Sequence, residues 1–349
     1  MILHFVHVLV TFVPQLSHLQ SEVSKLFRTQ PIAKQRMHEG RKTWVQPLGT
    51  NSEVEVETQG MYCAIQDFEQ QLGVTTESAD KLLQWVGGDG ASFTAMWWVR
   101  DYLSLLAADN LQTCQNIIPA TEIWHKHQTS LNTLAFNHFG PATSNDPSLL
   151  SQNAGLTGMK CPTDLKSCNF YPTSWTMILA WETRILDCWR CILSCFKLSD
   201  LKLITSIYLA KYDDLIQYFE QLEQSNQLPT LEILWEHAKA LYVRYSSSNA
   251  YWQALSLSLT TKSSPELQIQ ASTAWKPPTK PKGVTEDQPQ GFVEDEDFDG
   301  DRVLTNSILF IQEFGWWVEM GYTVAEGDIG RAWEIMKACI LSRYFTCFT

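Results

Sequence analysis

The chain opens on a nearly unbroken apolar run, MILHFVHVLVTFVPQL, and its pattern of apolar and polar positions then changes several times. Pro14 cuts this run at about a dozen residues, too short to span a bilayer. It lacks a basic start and a small-residue cleavage site. It therefore reads as a buried segment, with a membrane anchor or secretory signal as the less favoured alternative. SEVEVE (52–57) alternates like a short strand, with Val54 and Val56 on one face. Met61 to Leu72 has helical spacing and ends at Gly73, a plausible residue just past a helix end. LQWV (83–86) is a short apolar run stopped by Gly87-Gly88-Asp89-Gly90, and a helical stretch from Ala91 to Leu106 follows. NIIPATEIWHKHQ (116–128) is a second β-branched run with Pro119 inside it, hence an edge strand or irregular. A helix is predicted over 129–139, and the Pro-, Ser-, Asn- and Gly-rich stretch 140–174 reads as a long loop or lid.

From Ser174 to about Ala254 the spacing predicts three helices, each with apolar residues at i, i+3, i+4 and i+7. Ser199 or Asp200 caps the second, and Pro229 opens the third in its first turn. Residues 258–301 hold prolines and lysines, then a dense acidic run. That composition cannot bury enough surface to order itself and predicts a disordered linker. Two more helices are expected, Val303–Met320 and Ile329–Arg343, and the chain has no internal repeat.

Composition adjusts this picture in three places. At 44% hydrophobic and 18% charged, the 349 residues describe a globular protein with ample core. Fourteen tryptophans imply that many are buried with the indole N–H bonded. A net charge of −12 argues against a generally basic, phosphate-binding surface, although the first fifty residues are basic and local contacts with DNA stay open. Nine cysteines, an odd number, fit free thiols in a reducing compartment, nucleus or cytoplasm.

Candidate chemistry is sparse. Asp295, Asp297, Asp299 and Gly300 imitate half of a calcium loop, but Arg302 and Asn306 stand where an apolar residue and a bidentate Glu belong. Cys188, Cys191 and Cys195 fall at i, i+3 and i+7 of a predicted helix, which favours buried thiols over a zinc knuckle. His125 and His127 would share one face of a strand. They are hydrogen-bonded histidines in the plain reading, a metal pair with His138 or a catalytic or DNA-contacting His125 in the sharper ones. No Walker A loop, GxSxG elbow or GxGxxG is present. That leaves acids at glycine turns: Asp89, and Glu326-Gly327-Asp328. Each aspartate makes a good helix N-cap, and capping is the simpler reading. The alternative is that acids distant in sequence converge at strand ends, where Asp89 and Asp328 would hold Mg²⁺ or Mn²⁺ for phosphodiester cleavage.

WVGGDGAS (85–92), IIPATEIWHKH (117–127), CPTDLKSCNFYPTS (161–174) and AEGDIGRAWEIM (325–336) together resemble a large family abundant in mushroom-forming fungi, domain of unknown function 6589. The resemblance runs from about residue 45 onward. It implies a transposon-associated protein similar to transposases with a ribonuclease-H-like core. Carried over, Asp89 is the second acid of a DDE-type triad, His125 stands in its strand–His motif, and Glu326 or Asp328 lies near the late acid. Family members have an Asp-Asn pair on an upstream strand, whereas no Asp precedes residue 52 here. The chain also stops soon after the GDIGR helix, as a fragment cut at both ends would. A two-metal site without its first ligand would bind metal weakly and cleave little or nothing.

The expected fold is α+β and predominantly helical, with a small sheet-centred, ribonuclease-H-like but incomplete core and a large helical insertion. The expected organisation is a basic segment at 1–44, an α/β part at 45–173, a bundle at 174–256, a linker at 257–301, and helices at 302–349 that pack back on the core. Two functions follow. One is a degenerate, inactive relative of a metal-dependent DNA-cleaving transposase, with DNA as partner. The other is a non-enzymatic helical interaction or scaffold protein. Neither involves a membrane or a certain cofactor.

Overall fold

The computed structural model describes residues 1–29, 40, 45–144, 146–193, 212–247 and 302–341. The 258–301 linker, the calcium-loop imitation up to Asp301 and Cys195 lie outside the described residues. The described fold is predominantly helical, with one two-stranded parallel sheet. The chain divides into two compact units, residues 38–129 and the remainder on either side of them.

The larger unit is built around α1 (Ile2–Phe12). Apart from the stripe of His4, His7 and Thr11 this helix is apolar, and such a helix is stable only when surrounded. Leu3, Phe5, Val6, Val8, Leu9 and Val10 are all buried, each contributing roughly 1.5–3 kcal/mol of transfer free energy. Pro14 ends α1, a 3₁₀ turn follows, and α2 (Gln20–Thr29) packs back on α1. The second half of α6 (Ile123–His138), α7 (Leu150–Thr157), α8 (Phe170–Ile192), α9 (Tyr212–Gln224) and α10 (Leu231–Tyr245) complete the wall with α11 (Arg302–Ala325) and α12 (Ile329–Leu341). α8 turns Met177, Ala180, Trp181, Ile185 and Trp189 inward at helical spacing. The indole N–H groups of Trp181 and Trp189 donate to the carbonyls of Ile311 and Phe5, both at 3.0 Å. Along α11, Phe310, Phe314 and Trp317 stack in series at 5.4 and 5.1 Å.

The smaller unit contains α3 (Thr58–Gln71), the single turn α4 (Thr76–Ala79), β1 (Gln84–Gly88), α5 (Gly90–Leu103) and β2 (Ile117–Thr121). β1 and β2 run parallel, Gln84 opposite Ile117 and Gly88 opposite Thr121, so α5 is the crossover of a βαβ unit. Met61 and Ile65 of α3, Ala95, Met96 and Val99 of α5, and Ile117 form its core. Asn116 donates to Glu69 at 2.6 Å, tying the start of β2 to α3. Pro119 sits in β2, which is tolerable because each strand of a two-stranded sheet has a free edge.

Several expectations fail here for identifiable reasons. SEVEVE forms no strand: Val54 and Val56 are exposed and the Val54 carbonyl accepts from Glu57 N–H at 3.0 Å, a turn into α3. The second apolar run is strand only to Thr121. α6 begins at Ile123, so His125 and His127 lie on a helix, where residues two apart point to different faces. The supposed lid at 140–174 contains α7, held by buried Leu149, Leu150 and Ala154. Trp181 and Trp189 meet the expectation of buried, bonded indoles, whereas Trp85, Trp98, Trp124, Trp175 and Trp333 are more than half exposed.

Candidate functional site

The GGDG junction links β1 to α5. Gly88 is required by space: a Cβ there would stand 2.8 Å from Ser92 Cβ and 3.3 Å from the Met96 methyl. This close approach starts α5 directly over the strand end. Asp89 is the N-cap of α5, its Oδ1 accepting from the Ser92 N–H at 2.8 Å. That backbone bond, with help from the Ser92 hydroxyl and a small contribution from His125, holds the Asp89 carboxyl below its ordinary range.

Beyond the neighbouring strand stands Glu122, a residue outside the candidate acids at glycine turns. Its N–H donates to the Gly88 carbonyl at 3.0 Å, extending the ladder by one step. Its carboxylate lies 3.4 Å from His125 Nε2. Asp89, Glu122 and His125 thus belong to the carboxyl ends of two adjacent parallel strands, where open α/β sheets bind ligands. The signal for Glu122 was its place directly after IIPAT (117–121), the extended part of the second run.

In the larger unit, Glu326 and Asp328 flank the Gly327 turn between α11 and α12. Asp328 is buried and its Oδ1 accepts from the Arg331 N–H at 3.1 Å, the cap of α12. Glu326 meets the Arg28 guanidinium at 3.4 Å. Within either unit, no three His, Cys, Asp or Glu side chains among the described residues are placed to hold a metal ion. Within each unit the described donors thus do not fit the implied Mg²⁺ or Mn²⁺. Cys188 and Cys191 of α8 are free, half-buried thiols at i and i+3 of one helix.

A second group is unforeseen. His4, inside the apolar helix α1, is fully enclosed, and its Nε2–H donates to Glu319 of α11. The other oxygen of Glu319 accepts from Arg331 Nε–H. Burial pulls the His4 pKa down, to about 4, against the hydrogen bond with Glu319. Burial pushes Glu319 up, but the bonds from His4 and Arg331 outweigh it and hold the carboxyl below its usual range. A lone histidine in an otherwise apolar run was the visible clue, since such a group needs a partner.

The class is thus a mainly helical protein with a small βαβ unit carrying acids at its strand ends. The chain belongs to the family of unknown function DUF6589, whose sequence profile matches residues 1–345. The match takes in the apolar N-terminal helix as well, extending the resemblance beyond its expected start near residue 45. No curated protein and no solved structure matches the chain. No helix among the described residues is long and apolar enough to cross a membrane.

Two outcomes test this geometry. Asp89→Ala should cost about 1 kcal/mol by thermal melting while Asp89→Asn is nearly neutral. A stabilising Asp89→Asn would instead mean a repelling cluster of acids. Acid should destabilise the larger unit in two stages. Between pH 6.5 and about 4 the unfolded chain protonates His4 while the folded one resists, so stability falls as pH drops through that window. The contribution of Glu319, full above the unfolded carboxyl value of about 4.3, is lost below it. Urea midpoints against pH should show His4→Asn flattening the upper stage alone. A wild-type profile flat down to pH 4.5 would contradict the burial of a neutral His4.

Proposed function

We propose that this chain is a transposon-derived, non-cleaving relative of a metal-dependent DNA-cleaving transposase core, of the kind carried by mushroom-forming fungi. In this reading the βαβ unit is a reduced ribonuclease-H-like frame. Its strand-end acids have passed to structural duty. The observation that carries the reading is Asp89: it stands at the end of β1 beside a strand followed by Glu122 and His125, yet one of its oxygens is engaged by the Ser92 N–H. An acid in that position fits the ancestry, and its engagement fits the loss of activity. Supercoiled plasmid incubated with the protein and Mn²⁺ should stay intact. Mn²⁺-dependent nicking that disappears in Asp89→Asn would overturn the inactive reading and restore Asp89 as a metal ligand.

A second reading, a non-enzymatic interaction module, is favoured by one separate feature. α5 packs Ala95, Met96 and Val99 inward, yet its outward side carries Trp98 and Tyr102, with Leu105 just beyond its end, all more than half exposed. Trp85 projects from β1 likewise. A helix apolar on both sides is ordinarily covered on both. Residues 45–129 hold eleven Asp and Glu against three Lys and Arg, which disfavours phosphate contacts there and favours a protein partner. The dye ANS should bind this face strongly, and Trp98→Ser combined with Tyr102→Ser should reduce its fluorescence severalfold. Unchanged fluorescence in the double variant would mean the face is not available.

A further inference from the structure

Arg184, on the inner side of α8, is 3% exposed. Its guanidinium carbon lies 4.5 Å from the centre of the Phe310 ring, and Nη2 donates to the Ser148 carbonyl at 2.6 Å. The Nε–H and Nη1–H groups meet no hydrogen-bond partner among the described residues, and no carboxylate there lies within ion-pair distance. Asp146 supports the charge only from farther away, and burial pulls the Arg184 pKa down, to about 9, which leaves it charged at neutral pH. A buried charge without a close counter-ion is among the costlier arrangements a core can hold.

The guanidinium lines a cavity of about 30 Å³ shared with Asp187, Cys188, Cys191, Tyr245 and Ser307. The other groups in that wall carry no free charge. Asp187 is held by Arg190 at 2.8 and 2.9 Å. Burial pushes both thiols up, Cys191 to about 11, and Tyr245 likewise, so all three are neutral. Ser307 and Tyr245 add hydroxyl groups able to donate. A water in the cavity would satisfy an N–H but leave the charge unbalanced; an anion does both. We propose that this cavity is a binding site for a small monovalent anion, chloride or a formate-sized carboxylate, held by the free edges of Arg184. The volume is a few times the roughly 10–15 Å³ that one water needs, which admits such an ion and rejects larger ones. A divalent oxyanion would also bring a second charge toward Asp187 with nothing to neutralise it.

The test is thermal melting of the full chain at constant ionic strength, with gluconate replaced stepwise by formate, chloride or sulfate. A ligand that binds only the folded state raises the melting temperature with its concentration. The wild type should gain a few degrees with formate or chloride, saturably, and nothing with sulfate. Arg184→Met should lose the response by removing the charge. Ser307→Leu should lose it by filling the cavity while keeping the guanidinium, so it decides the matter if Arg184→Met does not fold. No response in the wild type, an equal response to sulfate, or a response retained in Ser307→Leu would each overturn the site.

Discussion

α1 offers water little beyond the narrow stripe of His7 and Thr11, and the larger unit is organised by that fact. An eleven-residue helix of this kind is stable only when other helices enclose it, which is what α2, α8 and α10 do. Enclosure sets further demands. Trp189 reaches its hydrogen bond through the Phe5 carbonyl of α1, and His4 requires an acceptor within the core. Glu319 meets that requirement, and as a buried carboxylate it needs Arg331 in turn. α1, α11 and α12 are therefore tied by a chain of polar obligations that begins with one histidine in an apolar stretch.

Arg184 shows the same physics without the same resolution. It too is a charged group drawn inside by its place on α8, between Ile185 and Trp181 on the inner side. Its face lies over Phe310, but among the described residues only one of its three nitrogens meets an acceptor. The His4 group closes on itself, whereas two nitrogens of the Arg184 guanidinium meet no acceptor among the described residues.

The smaller unit follows a different rule. A parallel sheet is usually covered on both faces, and here α3 and α5 cover one. The alternation along β1 is complete, with Gln84, Val86 and Gly88 turned in and Trp85 turned out. Asp89 inherits its task from this frame. The tight step from Gly88 to Ser92 begins a helix immediately after the strand, and its first free N–H groups take the nearest carboxylate. Strand-end acids and N-caps thus compete for the same residue, and at Asp89 the backbone holds one of the two oxygens.

Local signals were enough to read much of the architecture. The 3.6-residue spacing located α3, α8, α10, α11 and α12 to within a few residues, because each buries one continuous stripe. The GGDG turn and the two short apolar runs located β1 and β2. What failed were segments whose local pattern was overruled by neighbours. SEVEVE alternates but finds no partner strand among the described residues, α7 is too short and polar to show a period, and α6 starts inside a run that looked extended. The candidate acids were legible as acids at turns, and their capping geometry was the simpler of the two readings. The partners of His4 and the Arg184 cavity were not legible, since each joins residues that meet only through packing. The sequence by itself determined which helices must be buried and where they stop, because burial and capping are local in their cause. Only the tertiary structure decided which buried charge finds a partner, because that depends on side chains brought together from distant parts of the chain.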